Sequence, residues 1–581
     1  MKKIFLLLSV AALTFSACSD DYMQSLNNDG TKTTSIDPNA QLTTCLLQTY
    51  GDFGMMDTYR SYITGFTQHF AGGWNVTNYA GSVHANDDQM RLIWDQYYSI
   101  AIKNLRDAIA RSADKPNLNA VLRIHRVYLM SVLTDTYGDL PCMSENMPLD
   151  QGSATPEYDK QEDIYNHFFE ELTTCVNQLG TSDDVVSGDV TNYNGDLDYW
   201  KKYANSLRMR FAMRISDINP TKAQAEFEKA YKDPAGYISK ATEDAYIKYT
   251  NSPFTLYDGA REYDFRVNAL GEILYGQDPT SPTFICTTFY NIMADNNDPR
   301  LDAICRNYNN VKRSEISPDK WNLDLTDSVR VFQKDKSMKP APCNPGAAWW
   351  NNWVNGPDTT EVSGEMKRYF PTLYEMNKKY PEAGFYKSNF PARMMRPFLS
   401  IDFCQPNRPG ILMTSAEVEF LLAEAVVKGW AVTGTDQSHF EEGVKASIAL
   451  LNKHYLSTER FIDEDKVKTF VTALVAGPFA TNKIEAINTQ AWILHMTNPA
   501  EGWANLRRSD YPVLMDRTKL AQFPNDFTYD DDNLTTPVRL CYPSLEKKYN
   551  GANYQIALDR MGGKDDWHHR LWWDTKDINV K

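Results

Sequence analysis

Residues 119–141 read NAVLRIHRVYLMSVLTDTYGDLP. Val121, Ile124, Val127, Tyr128, Leu129, Val132 and Leu133 fall on several faces of a 3.6-residue period rather than on one stripe. A helix that is apolar nearly all round is one buried by its neighbours. The run then meets Gly138-Asp139-Leu140-Pro141, a Gly followed by a Pro, the order that stops a helix. A fully buried helix predicts a mostly α protein with other helices packed around it.

Those other helices are legible on both sides. Asp95–Ala113 is rich in helix formers and breaks at Asp114-Lys115-Pro116, and Gln161–Leu179 is closed by Gly180. Trp200–Ile218 carries Ala204, Leu207, Phe211 and Ile215 on one side, with Arg208, Arg210 and Arg214 spread over the rest, and Asn219-Pro220 ends it. Farther on, Val418, Leu421, Leu422, Ala425 and Val426 follow the i, i+3, i+4, i+7 pattern within Ser415–Lys428. Thr414-Ser415-Ala416-Glu417 supplies a capping box there, and Gly429 a stop. Phe440–Leu451 is its expected antiparallel partner, followed by Val467–Val475 and Ile484–His495. Helix pairs joined by short loops suggest tetratricopeptide-like packing, but no repeat stands out by self-similarity, so periodicity alone predicts a mostly helical protein of helix hairpins. Residues 241–410 differ: Pro, Gly and Asn are frequent and periodic runs are few, so this reads as a loop-rich excursion with short strands or helices, and its aromatic content argues against disorder.

The beginning of the chain is a different kind of signal. Lys2 and Lys3 precede an apolar run from Ile4 to Phe15, too short to span a bilayer, and Ser16-Ala17-Cys18 follows. This predicts a signal peptide over 1–17, with Cys18 as the residue after the cut. Residues 18–38, polar and rich in Asp, Asn, Ser and Thr, then read as a flexible tether to a single domain over 39–581. That domain divides into helical parts 39–240 and 411–515, the loop-rich 241–410 and a C-terminal segment 516–581. The formal net charge of −15 argues against nucleic acid and anionic lipid headgroups as partners. The nine Cys are dispersed with no C-x-x-C spacing, which disfavours zinc; beyond Cys18 they read mostly as buried small apolar residues.

Several runs together resemble the SusD/RagB family of surface nutrient-binding lipoproteins. They are VYLMSVLTDTYGDLP (127–141), WKKYANSLRMRFAMRI (200–215), NDPRL (297–301), AEVEFLLAEA (416–425) and INTQAWILHMTNPAEGWANLRRSDYPVL (487–514). The segment 539–574, with RLCYP, NGANYQIAL and LWWD, fits too. Ser16-Ala17-Cys18 resembles a lipobox whose thiol is lipidated, and Asp20-Asp21 resembles the surface-export signal of lipoproteins in the Bacteroides group. The resemblance implies about four tetratricopeptide-like helix pairs with loop-rich excursions, no catalytic centre and no cofactor. It also implies a role as a lid over a SusC-like TonB-dependent outer-membrane transporter, capturing oligosaccharides or, alternatively, peptides or other nutrients.

The residues themselves carry little catalytic signal. G-x-S-x-G, H-E-x-x-H, G-x-G-x-x-G and the P-loop pattern are all absent from the sequence. A glycosidase needs two suitably spaced carboxylates, so a surface hydrolase stands as an alternative; Asp135 and Asp139 read as parts of a structural turn. Adjacent His568 and His569 read as solvent-exposed rather than metal-binding, and Asp530, Asp531 and Asp532 lack the spacing of a calcium loop. The stronger constellations are aromatic. NPGAAWWNNWVNG (344–356) interleaves Trp349, Trp350 and Trp353 with Asn351, Asn352 and Asn355, flat faces for sugar C–H surfaces beside amides for hydroxyls. GGWNVTNY (72–79) offers Trp74, Asn75 and Tyr79 in the same way. The alternative in both places is that the rings pin their loops to the helical core.

Overall fold

A computed structural model describes residues 36–51, 53–71, 76–143, 155–250, 265–275, 283–306, 398–400, 402–516 and 535–576. Its longer helices are α1 (Pro38–Gly51), α2 (Lys103–Ala110), α3 (Pro116–Tyr137), α4 (Gln161–Gln178), α5 (Leu197–Arg214) and α6 (Pro220–Tyr231). After the middle region come α7 (Ser415–Val427), α8 (Asp436–His454), α9 (Glu464–Leu474), α10 (Lys483–Leu494), α11 (Pro499–Ser509) and α12 (Gly551–Arg560). They pack as successive pairs, α1 on α2, α3 on α4, α5 on α6 and α7 on α8, and neighbouring pairs meet through α2–α3, α4–α5 and α5–α7. This is the expected mostly α, tetratricopeptide-like arrangement. The described parts of 241–410 hold short helices, Ala269–Tyr275, Thr287–Asp295 and Pro299–Ile304. Two-stranded antiparallel pairings join Phe70–Ala71 to Phe284–Ile285, Ala245–Ile247 to Gly410–Met413 and Cys305–Arg306 to Phe398–Leu399.

Two helices escaped the sequence reading. α5 ends at Arg214, before the expected Ile218, and Asn219-Pro220 starts α6: the Asn219 side chain accepts from the Lys222 amide at 3.2 Å, and Pro220 takes the first helical position, where its missing N–H costs nothing. Asn498-Pro499 opens α11 in the same manner. The expected helix Asp95–Ala113 is interrupted; a π-helical turn, Tyr97–Ile102, joins Leu92–Gln96 to α2.

The opening stretch explains how the two ends of the chain meet. The last four carbonyls of α3 have no partner inside the helix. Thr134 O accepts from the Gly138 amide at 2.9 Å, with Gly138 at φ +99°, and from Gln161 Nε2 at 2.8 Å. Asp135 O accepts from Arg507 Nη2 at 2.6 Å, Thr136 O from the Leu540 amide at 2.9 Å and Tyr137 O from Arg539 Nε at 3.0 Å. Tyr542 Oη then donates to Asp139 O at 2.7 Å. The C-terminal segment is therefore the cap of an early helix.

Arg208, Arg210 and Arg214 do not line a polar face; all three are buried. Arg210 makes a bidentate pair with Glu417 of α7 at 2.6 and 2.7 Å. Arg214 donates to Glu501 of α11 at 2.6 Å and lies 3.4 Å from Asp135 of α3. The guanidinium heads meet carboxylates from three other helices, which is why the arginines point inward. The same pairing corrects the capping box on α7: Thr414 accepts from the Glu417 amide at 3.2 Å, but the Glu417 carboxylate serves Arg210. Arg508 of α11 pairs with Glu424 of α7, two bonds of 2.7 Å.

Breaking such a buried pair leaves an uncompensated charge. We therefore expect Glu501→Ala to lower unfolding stability by about 3–5 kcal/mol, measured by urea denaturation. Burial alone would raise the Glu424 carboxyl, but Arg508, Lys428 and Asn488 outweigh it and hold it at about 2, below its ordinary 4.5. A depressed folded-state value means that this stabilisation is complete above about pH 4.5 and is lost as the pH falls through about 2. Glu424→Gln should flatten the acid limb of a stability-against-pH curve over that window; an unchanged slope would contradict the assignment.

Candidate functional site

Tyr79 is the expected ligand-facing residue that the described structure contains. Trp74, Asn75, Trp349, Trp350, Trp353, Cys18 and Asp530–Asp532 lie outside the described residues. Tyr79 stands in a π-helical turn, Thr77–Gly81, half-buried rather than in an open loop. A second π-helical turn, Tyr59–Ile63, carries Tyr62 beneath it. Such turns are rare and concentrate at functional sites.

The ring of Tyr79 lies 5.7 Å from that of Tyr62, Tyr62 is 5.7 Å from Phe66, and Phe66 is 5.8 Å from Trp503 of α11. Trp567 closes edge-on against Tyr62 and Phe66 at 6.1 and 6.0 Å. At the far end the Arg507 guanidinium sits 3.8 Å over Trp503. Each tilted or edge-on ring pair contributes about 0.5–1.5 kcal/mol beyond area burial. The half-exposed phenol is thus the outer rung of a ladder that runs to the capped end of α3.

The backbone around it is held as firmly. A Cβ on Gly65 would lie 2.5 Å from the Cβ of Ala80, so only glycine allows the 77–81 turn to approach helix Thr64–Phe66 this closely. Val83, buried and β-branched, adopts φ +56°, a conformation that costs on the order of 1–3 kcal/mol. The His84 amide bonds Tyr79 O at 3.0 Å, and Tyr62 Oη donates to His84 O at 2.9 Å while accepting from the Asn86 amide at 2.9 Å. Burial first, and then the nearby Asp57 carboxylate, raise the Tyr79 phenol above its ordinary value, so it stays a neutral hydroxyl on a flat apolar ring. That combination suits a ligand with C–H faces and hydroxyl edges.

Other clusters are structural. Glu417, His495 and Glu501 bring metal-ligating atoms within 4.8 Å of one another, but Arg210 holds both Glu417 oxygens and Arg214 holds Glu501. Asp135 accepts from Tyr165 Oη and Trp573 Nε1 at 2.6 and 2.9 Å; Asp139 accepts from the Gln161 amide and Arg560, both at 2.8 Å. His568 and His569 are half-buried, not solvent-exposed: Trp567 is buried beside them, and His568 Nε2 lies 3.1 Å from Thr535 O. Among the described residues Cys45, Cys142, Cys175, Cys286, Cys305 and Cys404 are buried, as expected for small apolar side chains.

Two family models cover the chain: residues 31–332 match "Starch-binding associating with outer membrane", and residues 382–574 match "Susd and RagB outer membrane lipoprotein". A SusD-like structure from the Bacteroidetes is 36% identical, covering 93% of this chain and 100% of its own at a TM-score of 0.77. The chain belongs to the SusD/RagB family. A chitin-binding protein is 27% identical over 93% of this chain and 100% of its own, at a TM-score of 0.70. A chitin-binding SusD homologue from Flavobacterium johnsoniae, 20% identical over 94% of this chain and 100% of its own at a TM-score of 0.66, shares the fold. No curated protein matches. Among the described residues of this SusD/RagB chain, no helix is long and apolar enough to cross a membrane.

The residues that hold Tyr79, chiefly Tyr62, Gly65 and Val83, had no signal in the sequence, because π-turns and close backbone approach leave no period. Gly65→Ala should force the 77–81 turn away and cost about 1–3 kcal/mol, with lost near-ultraviolet dichroism from the tyrosines as the local readout. Unchanged stability and dichroism would show that the turn has room to move.

Proposed function

We propose that this chain is a cell-surface, lipid-anchored lipoprotein that captures an oligosaccharide and delivers it to a SusC-like TonB-dependent transporter, without catalysis. The observation that carries the reading is Tyr79, a neutral, half-exposed ring fixed at the end of an aromatic ladder in a SusD/RagB chain. The 27% identity to a chitin-binding protein supports a glycan as ligand. In this reading a signal peptide occupies 1–17, Cys18 carries the lipid, 18–38 is the tether, and the domain begins at 39. Trp74, Asn75, Trp349, Trp350 and Trp353, which lie outside the described residues, are the further ligand-binding residues of this reading. The family's description as outer-membrane lipoproteins supports the anchor.

Calorimetric titration of the soluble domain with chitin oligosaccharides and, separately, starch oligosaccharides tests it. Losing one stacking ring costs about 0.5–1.5 kcal/mol, so Tyr79→Ala should weaken binding about 2- to 10-fold with little change in melting temperature. If neither glycan binds but mixed peptides do, the chain is a peptide-capturing lid. Cys18→Ala should release the protein from the membrane fraction while leaving glycan affinity intact; continued retention would refute the lipid anchor.

A further inference from the structure

Away from Tyr79, a half-open cavity of about 390 Å³ lies between helix Thr287–Asp295, α8, the end of α9 and α10, with Pro512 and Val513 closing one side. Its volume falls at the small end of the range for small-molecule sites. None of its lining residues comes from the 57–88 segment that holds Tyr79.

The lining has two parts. Phe440, Leu474 and Ala486 are buried and form an apolar floor, part of the cluster packed between α8, α9 and α10. Pro478 and Pro512 add saturated C–H walls. The rim is polar: Asn296, Asn482, Glu485 and Thr489. Asn482 Nδ2 reaches Glu485 Oε2 and Tyr511 Oη, each at a long 3.3 Å. Those two bonds occupy both donors of the Asn482 amide, but a carboxylate accepts about four hydrogen bonds, so Glu485 keeps acceptor capacity for a ligand. Among the described residues no Lys or Arg lines the cavity, and the chain is net −15. Anions are therefore disfavoured; Glu485 calls for hydroxyl or amide donors, and the floor calls for a C–H face.

We propose that this cavity binds a neutral sugar of mono- or disaccharide size, as a site separate from the Tyr79 face. The carbohydrate reading of the protein supplies the ligand class; the cavity's own chemistry excludes anionic sugars and sets the size. Saturation-transfer NMR and calorimetry with N-acetylglucosamine, its β-1,4 disaccharide and glucose test the proposal on the whole soluble domain. Wild type should bind at least one of them saturably. Thr489→Tyr, which fills the cavity, should weaken that binding at least tenfold, and the isosteric Glu485→Gln at least threefold with an unaltered melting temperature. Tyr79→Ala should leave it unchanged. The proposal is overturned if none of the three sugars binds, if glucosamine binds more tightly than its neutral N-acetyl form, or if Glu485→Gln and Thr489→Tyr both leave affinity unchanged. Should long oligosaccharides still bind wild type and lose affinity in Tyr79→Ala, the cavity proposal alone fails and the glycan-capture reading stands.

Discussion

The last turn of α3 exposes four carbonyl oxygens inside the protein, where water cannot reach them, and each has to be given a donor. Gly138 and Gln161 satisfy the first, and Arg507, Leu540 and Arg539 satisfy the other three. An unpaired buried acceptor costs about 1–3 kcal/mol, so three such contacts from distant residues weigh heavily against a net stability of about 5–15 kcal/mol. The path of the C-terminal segment over the helical pairs is thus dictated by a hydrogen-bonding debt incurred hundreds of residues earlier. The arginine pairs brace the same region. Arg210, Arg214 and Arg508 connect α5, α7 and α11, and a planar guanidinium held by carboxylates from two directions fixes helix register more narrowly than apolar contact does.

That bracing reaches Tyr79 through one residue. Trp503 lies under the Arg507 guanidinium on one side and meets Phe66 on the other. The helix that caps α3 therefore also supports the ring stack ending at Tyr79. A ring held this way loses little further freedom when a ligand lies against it, which favours binding by preorganisation.

What the sequence disclosed follows from which interactions repeat. Apolar periodicity marked α3, α4, α5, α7, α8, α9 and α10 to within a few residues, because burial recurs every turn. The spread of the arginines over α5 did not disclose their burial, since the destinations of Arg210 and Arg214 depend on Glu417 and Glu501, which lie far along the chain. Asn219-Pro220 hid a helix because a dipeptide that reads as a stop is also a start. His568 and His569 looked exposed for want of any sign that Trp567 is buried beside them and that His568 meets Thr535. At the candidate site, the choice of Tyr79 rested on residue type alone; the π-turns and the left-handed Val83 that aim it have no local sequence code.

The α3 cap also sets an order of events. α3 lies hundreds of residues before Arg507, Arg539 and Leu540 in the chain, so three of those four carbonyls keep water as their partner until these residues dock. Contacts of such long sequence separation form late and slowly. Arg507, Arg539 and Leu540 thus act as a latch: their docking on α3 is the contact that ties the first helical pairs to the C-terminal segment.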